Sequence, residues 1–278
     1  MSPARLLQVE VLVALAVVGA VVGSFLNVCI YRLPLGRSVV TPPSACPRCR
    51  RRLRPWHNVP ILSWLLLGGR CAYCKEPISP RYPLVEALNA GLWLAAGLHF
   101  GCGARSFVLL PLLSALVVLF FTDYDHQLLP DKVTLPTAAI GIALAPWNTL
   151  LDLAPGFLGQ GSMVSRLASG AAGAVLGYGL FFTLAMVWQM LFARDAMGGG
   201  DLKMMLGVGA FLGIGGVVVT VFLASIVGTL LSLPYLLSGR WGMTRQLPFG
   251  CFLAPAAAIT AFWGNPLIRW YLGLLMLS

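Results

Sequence analysis

Long apolar runs separated by short polar punctuation dominate this sequence. Each is close to the roughly 20 residues an α-helix needs to cross about 30 Å of hydrocarbon. The first covers about residues 11–30, the second 84–100 and the third 107–122. The fourth, about 133–151, contains Pro136 and Pro146, and the fifth covers 167–192. The stretch 204–237 is too long for one helix and divides near Gly213–Gly216 into a sixth and a seventh. The eighth runs over about 249–275. The pattern predicts an all-α polytopic membrane protein with about eight transmembrane helices. The longest polar interruption, residues 31–83, separates the first helix (1–30) from helices two to eight (84–278). The first run is longer than a usual signal-peptide core, and basic residues follow it more than they precede it, so it reads as a retained helix. Small-residue pairs at Gly19/Gly23, Gly173/Gly177 and Gly209/Gly213 suit close helix packing and say nothing of chemistry.

Composition supports the bilayer as solvent. Of the 278 residues, 58% are hydrophobic and 10% charged, against about 25% charged in soluble domains. An ordinary globular enzyme, a disordered chain and a secreted disulfide scaffold are all excluded.

Charge distribution says more than the total of 19 Lys plus Arg against 9 Asp plus Glu. Ten basic residues fall within 31–83 (Arg32, Arg37, Arg48, Arg50, Arg51, Arg52, Arg54, Arg70, Lys75, Arg81), against one acid, Glu76. The positive-inside rule puts this insert in the cytoplasm. Alternating from there, Lys132, Arg194, Lys203, Arg240 and Arg245 also lie inside, while Arg5, Arg105, Arg166 and Arg269 lie outside. Eight spans then leave both termini outside. Beside membrane helices, the expected counter-charge for the insert is anionic lipid headgroups, not nucleic acid.

The insert holds four of the seven cysteines, as Cys46-Pro47-Arg48-Cys49 and Cys71-Ala72-Tyr73-Cys74, with 21 residues between the pairs. Two such knuckles can close a tetrahedral four-thiolate zinc site. Disulfides and redox pairs are the alternatives, and a reducing cytoplasm opposes the first. Four thiolates leave no open position for water, so the zinc is structural, and its binding can supply folding energy to an insert too polar to bury a core. His57 is an alternative ligand. Cys29, Cys102 and Cys251 read as small buried hydrophobes.

Of six aspartates, five (Asp123, Asp125, Asp131, Asp195, Asp201) gather near cytoplasmic helix ends, and Asp152 sits in an outer loop where solvation suffices. Asp123 follows 17 uncharged residues counted from Arg105. It should lie at or just inside the interface, where an ionisable group is a functional hypothesis. Asp201 follows Gly198-Gly199-Gly200. A helix cap would explain the acid but not three glycines, which are used for sharp turns or close approach. Two such carboxylates brought together share a proton and titrate as a unit. One can take a proton from water while the other gives one to a carbonyl, the chemistry of aspartic proteases. The sequence has no G-x-S-x-G elbow and no H-E-x-x-H.

Several strings in order then carry a resemblance: Gly23-Ser24-Phe25-Leu26-Asn27-Val28, the two C-x-x-C pairs, Arg81-Tyr82-Pro83-Leu84-Val85-Glu86, the D-x-D-H-x-x-L-P-D run Asp123–Asp131, G-x-G-D at Gly198–Asp201, and Pro248-Phe249-Gly250. Over nearly its whole length the chain resembles the type IV prepilin peptidases, membrane aspartic proteases of bacteria. The resemblance implies that Asp123 and Asp201 are the catalytic pair. It implies cleavage of the basic leader of prepilins and pseudopilins after a Gly, at the cytoplasmic face of the inner membrane. It also implies that the cysteine-bearing relatives typically N-methylate the new N-terminus with S-adenosylmethionine. No complete G-x-G-x-x-G is present. Asn27 and Glu86, polar at membrane depth, are the candidates for cofactor binding, with interhelical hydrogen bonding as the alternative. Gly198, Gly200, Asp125, Asp131 and Lys203 are the expected supporting residues, Lys203 by pairing with a carboxylate or by snorkelling, and His126 reads as interfacial. A basic insert would repel a basic leader, so substrate is expected to enter by its apolar N-terminal helix. The competing readings are a transporter or channel with an aspartate relay, and a non-catalytic scaffold.

Overall fold

The structure, a computed structural model, describes residues 3–153, 161–192, 198–237 and 249–276. Asp195, Arg194, Arg240, Arg245 and Pro248 fall outside them. The long helices are α1 (Pro3–Arg32), α3 (Arg81–Phe100), α4 (Ala104–His126), α5 (Asp131–Leu144), α6 (Met163–Phe192), α7 (Gly199–Leu237) and α8 (Gly250–Met276), with a short α2 (Leu62–Leu66) inside the insert. Among the described residues no strand forms beyond two isolated bridges, Ala45 with Arg52 and Arg70 with Pro77. The chain is therefore all-helical, as the apolar runs predict.

By length and composition, five helices can cross a membrane: α1, α4, α6, α7 and α8. This is fewer than the eight expected, for three local reasons. Glu86, Asn89 and His99 dilute the apolar run of α3. The fourth run was expected to be helical to residue 151, but α5 stops at Leu144. Pro146 has no N–H for the Ile142 carbonyl, and short 3-10 turns follow over Ala145–Trp147 and Thr149–Leu153. The sixth and seventh runs are two helical halves joined end to end as α7, divided at Gly213, where φ is 67° and ψ −172°, so they count once by length. Only glycine takes such a backbone without steric cost, which places the break within the expected Gly213–Gly216. The break releases helix carbonyls, and the fully buried Asn148 donates its Nδ2 to Phe211 O at 2.6 Å. A backbone carbonyl in hydrocarbon must find such a partner.

The chain divides into two compact units, Met1–Val118 and Leu119–Ser278, with the boundary inside α4. In the first, α1 packs on α3. A Cβ on Gly19 would meet Ala90 Cα at 3.0 Å, and one on Gly23 would meet Glu86 Cα at 2.7 Å. Asn89, fully buried, donates to Gly19 O at 2.7 Å and accepts from Ser114 Oγ at 3.0 Å, and Ser114 Oγ accepts from Trp93 Nε1 at 3.0 Å. In a bilayer such bonds contribute about 0.6–2 kcal/mol each. In the second unit α7 is central. Gly173 of α6 lies against Gly209 and Gly213, Gly177 against Met205, and Gly141 of α5 against Ala210 and Phe211. All three glycine pairs thus serve close packing. Val13, Val17 and Val21 on α1, Val175 and Met190 on α6, and Phe222 and Leu230 on α7 are exposed. Lipid is the solvent that suits so many exposed large apolar side chains.

Candidate active site and candidate metal centre

The two cysteine knuckles of the insert are built alike. Cys46 N–H donates to Arg51 O at 3.1 Å, and Cys71 N–H to Glu76 O at 2.8 Å. Arg50 N–H donates to Cys46 O at 2.9 Å, and Lys75 N–H to Cys71 O at 3.1 Å. Arg50 and Lys75, each directly after the second cysteine of its pair, take φ of 56° and 58°. These turns aim all four sulfurs inward, within 4.8 Å of one another, with Cys46 Sγ 3.8 Å from Cys74 Sγ. All the cysteines are free thiols, so the disulfide alternative is not realised. A metal with sulfur bonds of about 2.3 Å in a tetrahedron needs sulfur pairs about 3.8 Å apart, and the cluster fits. His57 stands apart from these ligand atoms, its ring edge-on to Tyr73 at 5.3 Å.

The thiols also carry the electrostatics of a site meant for a cation. The Cys74 backbone N–H, with Tyr73 N–H and the neighbouring thiols assisting, draws Cys71 down to about 7. Cys74 is pushed up to about 11: the Glu76 N–H favours its thiolate, but burial and the Cys71, Cys49 and Cys46 sulfurs outweigh that. Four thiolates this close require a metal dication to be stable together.

The aspartates occupy the second unit. α4 ends one turn after Asp123, where Gln127, at φ 50°, donates its N–H to Asp123 O at 2.9 Å. The chain turns back there and α5 starts at Asp131. Asp123 is 5% exposed, and its Oδ2 accepts from the Cys251 backbone N–H at the start of α8, at 2.9 Å. Cys251 Sγ in turn donates to Phe120 O at 3.6 Å. Asp201 is 8% exposed, lies in the first turn of α7, and its N–H donates to Gly198 O at 3.1 Å. It is not a cap: its buried Oδ1 has no hydrogen-bond partner among the described residues. A buried carboxylate oxygen left bare is costly and calls for an explanation. Asp201 lies within coulombic range of Asp123.

Leu129 packs against the glycines near both carboxylates. A Cβ on Gly200, beside Asp201, would meet Leu129 Cβ at 2.7 Å. A Cβ on Gly250 would meet Asp123 Oδ2 at 2.8 Å, Asp123 Cγ at 3.0 Å and Leu129 Cδ1 at 3.3 Å. Gly200 therefore has a close-approach reason, whereas a Cβ on Gly198 or Gly199 would meet nothing within 4 Å among the described residues. Lys203 Nζ grips both oxygens of Asp131, at 2.7 and 2.8 Å, so of its two expected roles it takes carboxylate pairing. Asp125 is exposed on the last turn of α4. Asp152, expected only to be solvated, makes a two-pronged pair with Arg166 at 2.8 and 3.0 Å.

Asn27 and Glu86 lie in the first unit, both 8% exposed. Asn27 Nδ2 donates to Tyr82 O at 3.1 Å and, more weakly, to Gly23 O at 3.4 Å. Glu86 Oε2 accepts from Ile61 N–H at 2.7 Å. Both side chains hydrogen-bond protein groups in this structure.

Two site features escaped sequence reasoning. Cys251 read as a lone hydrophobe, yet its backbone N–H is the donor on Asp123. Leu129 sits inside the D-x-D-H-x-x-L-P-D string without standing out. The signal for the first was the glycine that opens α8, Gly250.

Comparison with known proteins gives the family. Residues 17–100 match the Bacterial Peptidase A24 N-terminal domain, and residues 110–233 match the Type IV leader peptidase family. The prepilin leader peptidase/N-methyltransferase of Aeromonas hydrophila is 35% identical, over 90% of both chains. The chain belongs to the type IV leader peptidase family. Proteins of the same description from Pseudomonas putida and Legionella pneumophila are each 34% identical, covering 90% and 91% of this chain and 89% and 91% of their own. No solved structure matches significantly. The family match thus spans both units, taking in the insert and both aspartates of this leader peptidase.

Proposed function

We propose that the chain is a multi-pass membrane aspartic endopeptidase that removes the leader from prepilins or pseudopilins at the cytoplasmic face of the inner membrane. We propose further that it N-methylates the amine so released, as the names of its relatives suggest. The observation that carries the proteolytic reading is the pair of buried aspartates, one held by a backbone N–H and the other with a bare oxygen. In this reading the ionised carboxylate takes a proton from water as the water oxygen attacks the scissile carbonyl carbon. The protonated carboxyl gives its proton to the carbonyl oxygen. Collapse of the tetrahedral intermediate breaks the C–N bond, with the leaving nitrogen protonated by the pair, which returns to its starting state. The reading has eight spans with both termini outside. The two halves of α7 count separately across Gly213, and α3 and α5 join the five longer helices. The substrate's apolar helix enters between helices, and the arginines of the insert meet anionic lipid.

Four thiols in a tetrahedral-sized cluster suit structural zinc. Freshly purified protein is expected to contain one zinc per chain by elemental mass analysis, and its absence would remove the metal from this account. For S-adenosylmethionine the residues give no matching site. Asn27 and Glu86 are engaged with protein groups, so no step is derived through the donor. The deciding assay is the detergent-purified chain with a prepilin and methyl-labelled S-adenosylmethionine. Leader release with label on the new N-terminus is expected. Release without label would restrict the enzyme to proteolysis, and no release would remove the peptidase reading.

A further inference from the structure

The insert meets the membrane helices through one unusual turn. Ile61 takes φ 63° and ψ −55°, the rare φ-positive γ-turn geometry, with Leu62 N–H donating back to Pro60 O. A β-branched residue at positive φ is a genuine outlier, and such geometry persists only where its surroundings hold it. What holds it here is Glu86 of α3, whose buried carboxylate accepts the Ile61 N–H at 2.7 Å. Gly23 of α1 allows this, because any Cβ there would strike Glu86 Cα.

From the turn, contacts continue into the metal cluster. Ile61 O accepts from Leu65 N–H at 3.1 Å within α2. Trp64 of α2 donates its Nε1 to Ile78 O at 3.1 Å, and Ile78 N–H donates to Gly69 O at 2.7 Å. Those two segments flank the Cys71–Cys74 knuckle, which the Arg70–Pro77 bridge closes.

We propose that Glu86 is a positioning residue that docks the four-cysteine insert onto the α1–α3 pair by accepting the hydrogen bond of the strained Ile61 turn. Its carboxylate works as an acceptor for backbone, not as the charge partner of a methyl donor. This goes beyond the enzymatic reading and does not depend on it, because its readouts are hydrogen exchange and metal content.

The test uses the full chain in detergent. Amide exchange in a peptide covering residues 59–66 is followed by mass spectrometry, with zinc measured alongside. Glu86→Ala is expected to speed exchange there by at least about 10-fold, the scale of a hydrogen bond to a charged group, with zinc retained. Glu86→Gln keeps an acceptor oxygen and is expected to stay within about threefold of the parent, since a neutral bond is roughly half as strong. Ile61→Gly removes the strain, because glycine has equal access to positive φ, and in the Glu86→Ala background it should slow exchange again. Two outcomes would overturn the proposal: exchange unchanged in Glu86→Ala, or exchange in Glu86→Gln as fast as in Glu86→Ala. Should Glu86→Ala fail to fold, Glu86→Gln decides against the parent: exchange faster by more than about threefold would overturn the proposal.

Discussion

Replacing Asp123 or Asp201 with alanine is expected to lower leader cleavage by about 10³-fold or more, with the protein still folded. Each carboxylate has one half of the proton traffic in the proposed reaction, so neither variant keeps a working pair. The two should differ in stability. Asp201 Oδ1 has no hydrogen-bond partner among the described residues, so its removal takes a bare polar atom out of the interior. Asp201→Ala should therefore be neutral or mildly stabilising, the pattern of a residue kept for activity at a cost in stability. Asp123→Ala leaves the Cys251 N–H without its acceptor and should destabilise by about 1–3 kcal/mol. Cleavage rates and detergent-phase melting on the same preparations check both halves. Near-normal cleavage by either variant would refute the paired-aspartate mechanism.

Gly250→Ala is the second large effect expected, a loss of about 10²-fold in cleavage from a single added methyl. That Cβ would sit 2.8 Å from Asp123 Oδ2 and 3.0 Å from its Cγ, closer than ordinary contact allows. The carboxylate must then leave the Cys251 N–H, and the same Cβ would also crowd Leu129 Cδ1 at 3.3 Å, so it cannot simply shift that way. Alanine is the better helix former by about 1 kcal/mol, so α8 itself is not weakened. Gly91→Ala on α3, where a Cβ meets nothing within 4 Å, is the control for a methyl added to a helix. Normal cleavage by Gly250→Ala would mean that the position of the Asp123 carboxylate is not critical.

Much of this was legible along the chain because the bilayer makes local rules strong. A backbone in hydrocarbon must be helical, so apolar runs map onto helices, and even the break in α7 follows from the glycines at Gly213–Gly216. Two C-x-x-C pairs constrain a metal site tightly because a knuckle sets its own sulfur geometry. Polar residues at membrane depth were harder to read. Glu86 and Asn27 stand out in sequence only as groups needing a partner. Whether that partner is a cofactor or a backbone amide depends on residues 25 and 55 positions away, Ile61 and Tyr82. The length of α5 was misjudged because a proline tolerated inside one helix (Pro136) and a proline ending it (Pro146) look alike in a hydropathy trace.

The sequence by itself determined the helical class, the order of the long helices and the break in α7, the thiol cluster, and which acids were candidates for chemistry. These depend on composition, on local backbone preference and on spacings of a few residues. Only the tertiary structure decided that Asp123 takes its hydrogen bond from the start of α8, that Asp201 keeps a bare oxygen, that Leu129 packs against both glycines, and that Glu86 holds the insert's strained turn. Each joins residues far apart in the chain through contacts of a few ångströms, and no local pattern of apolar and polar positions encodes such a contact.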